Sequence, residues 1–353
     1  MKFVFWQNVI SIHQSAFIKA LAENHDVTLV AQESLDRQRR EEKWSVPEME
    51  NAKVMVAPKA NTISDLLSLD GAEHVFSGID AYPMVYSVLK SAVSRGLKIT
   101  ILAEPYEWAG LKGFMRRIKY MLLSKKYGKY IKHLFTTGNK GVECYRNSLF
   151  DPNIIHQWGY FTEQNNCSET VSTADKVRLL YVGRLDSNKN IIPILKHIDK
   201  YGSYIERFTI VGDGDLMNEL RAIAESNNKI KVLGRLDNSE AVEQMAVHDY
   251  LILPSLYDGW GAVVNEALAH GTRVLCSDAC GASILLDGKQ RGESFKQSEA
   301  IDTIQRWVKN GPVSVDEKNL VKEWAKTHIS GGVAAEYFVK IIEGNNINAP
   351  WID

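Results

Sequence analysis

The chain has 353 residues, of which 45% are hydrophobic and 24% charged, and its formal net charge is −1. That length exceeds one ordinary α/β domain and suits two of about 170 residues each, both apolar enough to pack a core. The near-zero charge gives no global pull toward nucleic acid, and no apolar run approaches the roughly 20 residues of a membrane span.

In chain order, short apolar and β-branched runs at 2–6, 27–31, 53–57, 74–78, 98–103, 133–137 and 154–158 read as strands, with helical patterns between most of them, notably 81–95 and 111–132. The polar stretch 162–176 reads as a linker or exposed loop. A second series follows at 178–183, 207–212, 230–234, 250–255 and 273–277, and from about 297 the chain reads as helical almost to its end. Continuous rather than alternating apolar runs belong to strands covered on both faces. The fold class expected is therefore α/β, with two facing Rossmann-like doubly wound domains and a cleft between them. The divisions are 1–159, 160–330 and a C-terminal helical segment, 331–353, packing back on the first domain.

The leader-like run MKFVFWQNV is too short for a secretory signal, which makes the expected location cytoplasmic. Cys144, Cys167, Cys276 and Cys280 have no CxxC spacing and no His ligands nearby, so reduced thiols are expected and no metal site.

Chemistry gathers in the second half. In YVGRLDSNKN, a strand ends near Val182, Gly183 permits a turn, and Arg184 and Lys189 follow before a helix. Two cations beyond a strand's carboxyl end suit an anionic ligand, and a fork beside a point charge suits a diphosphate; a solvated loop with two surface cations is the alternative. In IVGDGDLMNELR, Asp213 and Asp215 approach a helix, with an N-cap role expected for Asp215. Gly212 and Gly214 there would admit a ligand close to the backbone. In PSLYDGWGAVVNEALAHG, Asp258 precedes a Gly259-Trp260-Gly261 step, and Glu266 lies about five residues into the following helix, roughly 7–8 Å along its axis. Two ionised carboxylates only accept hydrogen bonds and so fit the paired hydroxyls of sugars. The plainer reading makes Asp258 an N-cap and Glu266 an exposed helix residue.

Together these three stretches, in this order and spacing, resemble the donor-binding half of the family 4 (group 1) retaining glycosyltransferases of the GT-B fold. The likeness covers most of residues 178–280, and HQWGYFTE (156–163) sits where that family crosses between domains. The resemblance implies that Arg184 and Lys189 bind the diphosphate of a nucleotide sugar and stabilise it as leaving group. It also implies that Glu266 holds ribose hydroxyls, that Asp258 meets the donor sugar, and that the backbone of Gly259, Trp260 and Gly261, with Gly183 and Asp213, lines the donor site. Asp258 departs from the family's usual Glu by one methylene. Trp260 either lines the sugar site or packs beneath the loop. The first loop, WQNVISIHQSAF, lacks the glycines of many relatives, leaving His13 or Gln14 to contribute a side chain, or His13 to serve structure alone.

The implied reaction is metal-independent transfer of a hexose-type sugar, with retention, to a saccharide or lipid-linked saccharide acceptor in surface polysaccharide synthesis. No cofactor is expected beyond the nucleotide-diphosphate sugar as substrate, and no nucleic acid. Glu104 and Glu107 are acceptor-site or structural acids, and would be the candidate bases if the reaction inverted. Two other readings stay open, a nucleotide-sugar epimerase and a non-catalytic sugar-nucleotide-binding subunit. Residues 108–142 hold nine Lys or Arg and no acid. The segment 111–135 is either a helix lying on an anionic membrane, which would place the protein peripherally on the inner face of the cell membrane, or a soluble helix with solvated cations.

Overall fold

The computed structural model describes residues 1–35, 46–108, 110–163 and 175–352. The expected linker, 162–176, and Cys167 thus fall largely outside the described residues.

Two compact units are present, Met1–Glu163 with Ser330–Asp353, and Gln164–Ile329. The first runs β1 (Lys2–Gln7), α1 (Ile12–Asn24), β2 (Asp26–Ala31), β3 (Lys53–Val56), α2 (Ala60–Leu67), β4 (Ala72–Ser77), α3 (Pro83–Ser94), β5 (Ile99–Ala103), α4 (Gly110–Tyr127), β6 (Ile131–Thr137), α5 (Gly138–Arg146) and β7 (Ile155–Trp158). All neighbouring strands are parallel, in the order β3-β2-β1-β4-β5-β6-β7. β1 is buried at every position but its first, as a strand covered on both faces must be.

The second unit runs β8 (Val177–Val182), α6 (Ile191–Lys196), β9 (Ile205–Val211), α7 (Met217–Ser226), β10 (Ile230–Gly234), α8 (Asn238–Val247), β11 (Tyr250–Leu253), α9 (Ala262–Ala269), β12 (Arg273–Ser277), β13 (Gly292–Phe295), α10 (Ala300–Val308) and α11 (Val315–His328). Its sheet is also parallel, ordered β10-β9-β8-β11-β12-β13. Both sheets reverse direction of winding between their first and fourth strands, and in doubly wound sheets ligands bind beyond the carboxyl ends of the strands at such a reversal.

The chain then enters α12 (Gly331–Ile342), which belongs to the first unit. Phe338 of α12 lies among Phe17 at 5.2 Å, Phe135 at 4.9 Å and Trp158 at 5.8 Å, all edge-on or tilted as aromatic quadrupoles prefer.

Three expectations change. The helix expected over 111–132 stops at Tyr127, because β6 begins at Ile131 and pairs with β5. β13 has no counterpart in the sequence reading, since Gly292–Phe295 is four residues with a glycine and two polar residues. The C-terminal region is helical only to Ile342, after which Glu343 ends α12.

Candidate active site

Of the expected site residues of the second unit, Gly183, Arg184 and Lys189 follow β8, Asp258 to Gly261 follow β11, Asp213 follows β9 and Glu266 lies within α9; β8 and β11 flank the winding reversal. Those strands are adjacent, with Tyr250 opposite Leu179 and Leu251 opposite Leu180. The loops leaving them are stitched together: the Leu256 N–H donates to the Asn188 carbonyl at 2.7 Å and Asn188 Nδ2 to the Tyr257 carbonyl at 2.8 Å. The stitching brings Lys189 Nζ to 2.5 Å from Asp258 Oδ2, both side chains being mostly buried. A charge-assisted bond in such partial burial holds both heads in one place. The sequence reading gave these two residues separate ligands; the fold makes them partners.

Arg184 is different. Its carbonyl accepts from Tyr181 Oη at 2.6 Å, which pins the backbone, while its exposed guanidinium has no partner among the described residues. Asp186 caps the turn between them, its carboxylate accepting from the Lys189 N–H at 3.1 Å.

Glu266 occupies the fifth position of α9. Its carboxylate is largely buried, has no hydrogen-bond or ion-pair partner among the described residues, and is pushed by desolvation up to about 7. A carboxyl kept without a partner at such cost is a feature of binding sites more often than of cores.

The helix that carries Glu266 starts abruptly. Gly261, its N-cap, has φ +89°, a left-handed conformation that L side chains rarely adopt, and a Cβ there would lie 2.6 Å from Cys280 Sγ. Asp258 pairs in parallel with Cys280, and the Gly281 N–H donates to the Asp258 carbonyl at 3.1 Å. Asp258 is therefore not an N-cap. Trp260 is 2% exposed and its Nε1 donates to Asn265 Oδ1 at 2.7 Å, so the indole packs beneath the loop and leaves only backbone to face a ligand. Gly259 follows the same course, its carbonyl lying where a Cβ on Gly281 would clash at 2.3 Å. Cys280 Sγ donates to the Trp260 carbonyl at 2.7 Å, and Cys144, Cys276 and Cys280 are free, buried thiols.

The GDG segment has another use than expected. A Cβ on Gly212 would stand 1.8 Å from the Gly183 carbonyl, and one on Gly214 would stand 2.5 Å from the Leu185 carbonyl. The glycines let the β8 and β9 loops cross backbone to backbone, with Leu185 N–H donating to the Asp213 carbonyl at 2.9 Å. Asp213 is exposed and accepts from the Gly214 N–H at 2.8 Å. Asp215 does not cap α7; Leu216 holds the N-cap position, without a side-chain cap bond.

The sequence reading missed Gln297. Its Nε2 donates to the Pro254 and Ser255 carbonyls, both at 2.9 Å, and lies 3.1 Å from Ser277 Oγ, while its Oε1 accepts from Asn190 Nδ2 at 2.9 Å. One side chain thus ties the ends of β11 and β12 to the residue that opens α6. Gln297→Ala would leave several of these groups unpaired, costing about 1–3 kcal/mol. The expected result is a melting temperature lowered by several degrees together with weaker nucleotide-diphosphate binding. Unchanged binding in calorimetry would remove Gln297 from the site's support.

The first unit's candidates are placed as follows. His13 lies in the first turn of α1, its ring stacked on Tyr160 with centroids 5.2 Å apart, and its carbonyl accepts from the Phe161 N–H at 3.1 Å. Gln14 is buried. Glu104 and Glu107 are both exposed beyond β5; the Glu104 carbonyl accepts from Tyr145 Oη at 3.1 Å, and Glu107 is ion-paired to Arg116 at 2.7 Å.

Residues 176–310 match the family model described as Glycosyl transferases group 1. That part of the second unit is thus similar to the group 1 glycosyltransferases. Among curated proteins, the chain is 38% identical over 186 residues to the Campylobacter jejuni enzyme named GalNAc-alpha-(1->4)-GalNAc-alpha-(1->3)-diNAcBac-PP-undecaprenol alpha-1,4-N-acetyl-D-galactosaminyltransferase, a match covering 50% of this chain and 48% of the relative. It is 29% identical over 135 residues to the putative glycosyltransferase EpsF of Bacillus subtilis, covering 37% of this chain and 33% of that one. The chain thus spans about half or less of the length of the curated relatives it matches. Among solved structures, Anabaena Alr3699/HepE in complex with UDP superposes with TM-score 0.72 at 11% identity, covering 98% of this chain and 100% of that one. The apo lipopolysaccharide outer core galactosyltransferase WaaB superposes with TM-score 0.68 at 13% identity, covering 97% and 99%. At such identities the likeness establishes the fold, which is GT-B.

Proposed function

We propose that this protein transfers a hexose-type sugar from a nucleotide-diphosphate sugar to a saccharide or lipid-linked saccharide acceptor, with retention, in surface polysaccharide synthesis. The observation that carries the proposal is the Lys189–Asp258 pair beside one sheet reversal, on loops that also carry a guanidinium without a partner among the described residues (Arg184) and lead into a helix with a buried carboxyl (Glu266). A diphosphate matches the cations and two hydroxyl-bearing rings match the acids. Support comes also from the matched family, from a curated relative named for transfer to an undecaprenol-linked saccharide, and from structural neighbours solved with UDP and UDP-glucose.

In this reading Arg184 and Lys189 bind and stabilise the departing diphosphate, where preorganised charge contributes most. The anomeric carbon's bond to the phosphate oxygen breaks, a bond to the acceptor hydroxyl oxygen forms on the same face, and the phosphate oxygen takes the acceptor's proton. Lys189, held by Asp258, is aligned before the donor arrives. Asp258 has one oxygen engaged and one left for a sugar hydroxyl. Glu266 accepts from the ribose hydroxyls. No bound metal enters the scheme, and Gly259, Trp260 and Gly261 contribute backbone alone.

The test is turnover by the purified chain on a panel of UDP-, GDP- and ADP-sugars, UDP-sugars first, with lipid-linked saccharide acceptors. The expected product keeps the donor's anomeric configuration by NMR, and millimolar EDTA leaves the rate unchanged. Donor conversion without acceptor would mean an epimerase, and tight nucleotide binding without turnover on any acceptor would mean a binding subunit.

A further inference from the structure

The outer face of α4 carries an apolar stripe that stays exposed. Residues three and four apart share a helix face. On the inner face, Gly113, Leu123, Ser124 and Tyr127 are buried, and Tyr120 stacks on Tyr106 at 4.5 Å and meets Tyr145 edge-on at 5.7 Å. On the opposite face Leu111, Phe114, Met115, Ile118 and Leu122 are 79%, 56%, 60%, 39% and 64% exposed. They follow the helical repeat and form one stripe about 16 Å long at ~1.5 Å per residue. The helix therefore has two apolar faces, and among the described residues only the inner one joins a core.

The stripe is rimmed by cations. Arg116 is paired with Glu107 at 2.7 Å and Lys119 with Asp80 at 2.7 Å. Lys112, Arg117, Lys125 and Lys126 have no carboxylate partner among the described residues, and α4 itself contains no acid. A convex apolar ridge flanked by ammonium and guanidinium groups is the form of a helix that lies in a lipid interface, its apolar side among acyl chains and its cations among anionic headgroups. A second copy fits poorly, because two faces of the same positive sign would oppose each other. Among the described residues no helix is long and apolar enough to cross a membrane, so such contact would be in the plane.

We propose that α4 docks this protein on an anionic phospholipid surface through the Leu111–Phe114–Met115–Ile118–Leu122 stripe, with Lys112, Arg117, Lys125 and Lys126 pairing to headgroups. The inference needs no part of the sugar-transfer reading and can fail or hold independently of it.

The experiment is co-sedimentation of the full chain with vesicles of phosphatidylcholine alone and of phosphatidylcholine mixed with phosphatidylglycerol. Binding is expected to the mixed vesicles only and to weaken with salt. It should fall at least tenfold in a Phe114→Asp, Leu122→Asp double variant and in a separate Lys112→Glu, Lys125→Glu variant. Both changes lie on exposed positions, so melting temperatures should stay within a few degrees of the parent, and the second variant retains the apolar stripe if the first proves unstable. No sedimentation with mixed vesicles, equal binding to neutral ones, or unchanged binding in both variants would overturn the proposal. So would a concentration-dependent dimer lost in the first variant without vesicle binding.

Discussion

Arg184→Ala is expected to lower kcat/KM for the sugar-transfer reaction by about 10²–10³-fold, or roughly 3–4 kcal/mol, the usual cost of removing one preorganised donor from developing negative charge. The structure makes the change clean. The Arg184 guanidinium is exposed and unpartnered among the described residues, and the loop is fixed through its carbonyl, which any residue retains. Thermal stability should therefore change by no more than about 0.5 kcal/mol, as for ordinary surface substitutions. Arg184→Lys should recover part of the loss, since it restores the charge without the planar fork. Steady-state kinetics with a turning-over donor and acceptor decide the matter. If Arg184→Ala keeps parental kcat/KM, the diphosphate does not lie at the end of β8.

Glu266→Gln is expected to weaken nucleotide-diphosphate binding by about 10–100-fold, the worth of hydrogen bonds to a charged acceptor. It should also flatten a pH dependence. Burial raises the Glu266 carboxyl to about 7 from its ordinary 4.5. Below that value the group is mostly protonated, and it can then neither accept from two hydroxyls at full strength nor carry charge. Parental affinity should thus rise by up to about tenfold between pH 6 and pH 8, and the Gln variant should show only the part that belongs to the ligand's own phosphate.

The stability effect runs the other way. A carboxyl whose folded pKa is raised makes the native state bind more protons than the unfolded chain between pH 4.5 and about 7, so stability falls as pH climbs through that window and the full cost is present above it. Glu266→Gln removes that cost and should stabilise the protein at pH 8 by on the order of 1–3 kcal/mol. Calorimetric titration and thermal melts at the two pH values test both halves. A variant that loses stability, or keeps parental affinity, would make Glu266 a structural residue.

Much of the candidate site's placement was legible in the sequence because its parts are local. Gly183 to Lys189 and Asp258 to Glu266 each follow an apolar run that can only be a buried strand, and polar residues just past such a strand fall at the sheet's carboxyl edge wherever the rest of the chain goes. The less regular pieces were not legible. β13 is too short and polar for its pattern to show, so Gln297, two residues beyond it in the chain, carried no signal although it joins the ends of β11 and β12 to the start of α6. The glycines of GDG could be read as openings for a ligand. That they instead clear the Gly183 and Leu185 carbonyls depends on a loop thirty residues earlier. The extra apolar face of α4 was hidden for the same reason, since a count of cations and leucines does not say which face meets the core.

By itself the sequence determined the two parallel sheets, their doubly wound character and the residue types at the edge of the second one. These follow from the period and length of apolar runs, which a strand or helix expresses without reference to distant residues. Only the tertiary structure decided that Lys189 and Asp258 form a pair, that Trp260 turns inward, that Glu266 has no partner among the described residues, and that α4 shows an apolar stripe to the outside. Each of these depends on which side chains from remote parts of the chain reach the same few ångströms, and burial and pairing in three dimensions are properties of those meetings rather than of any one stretch.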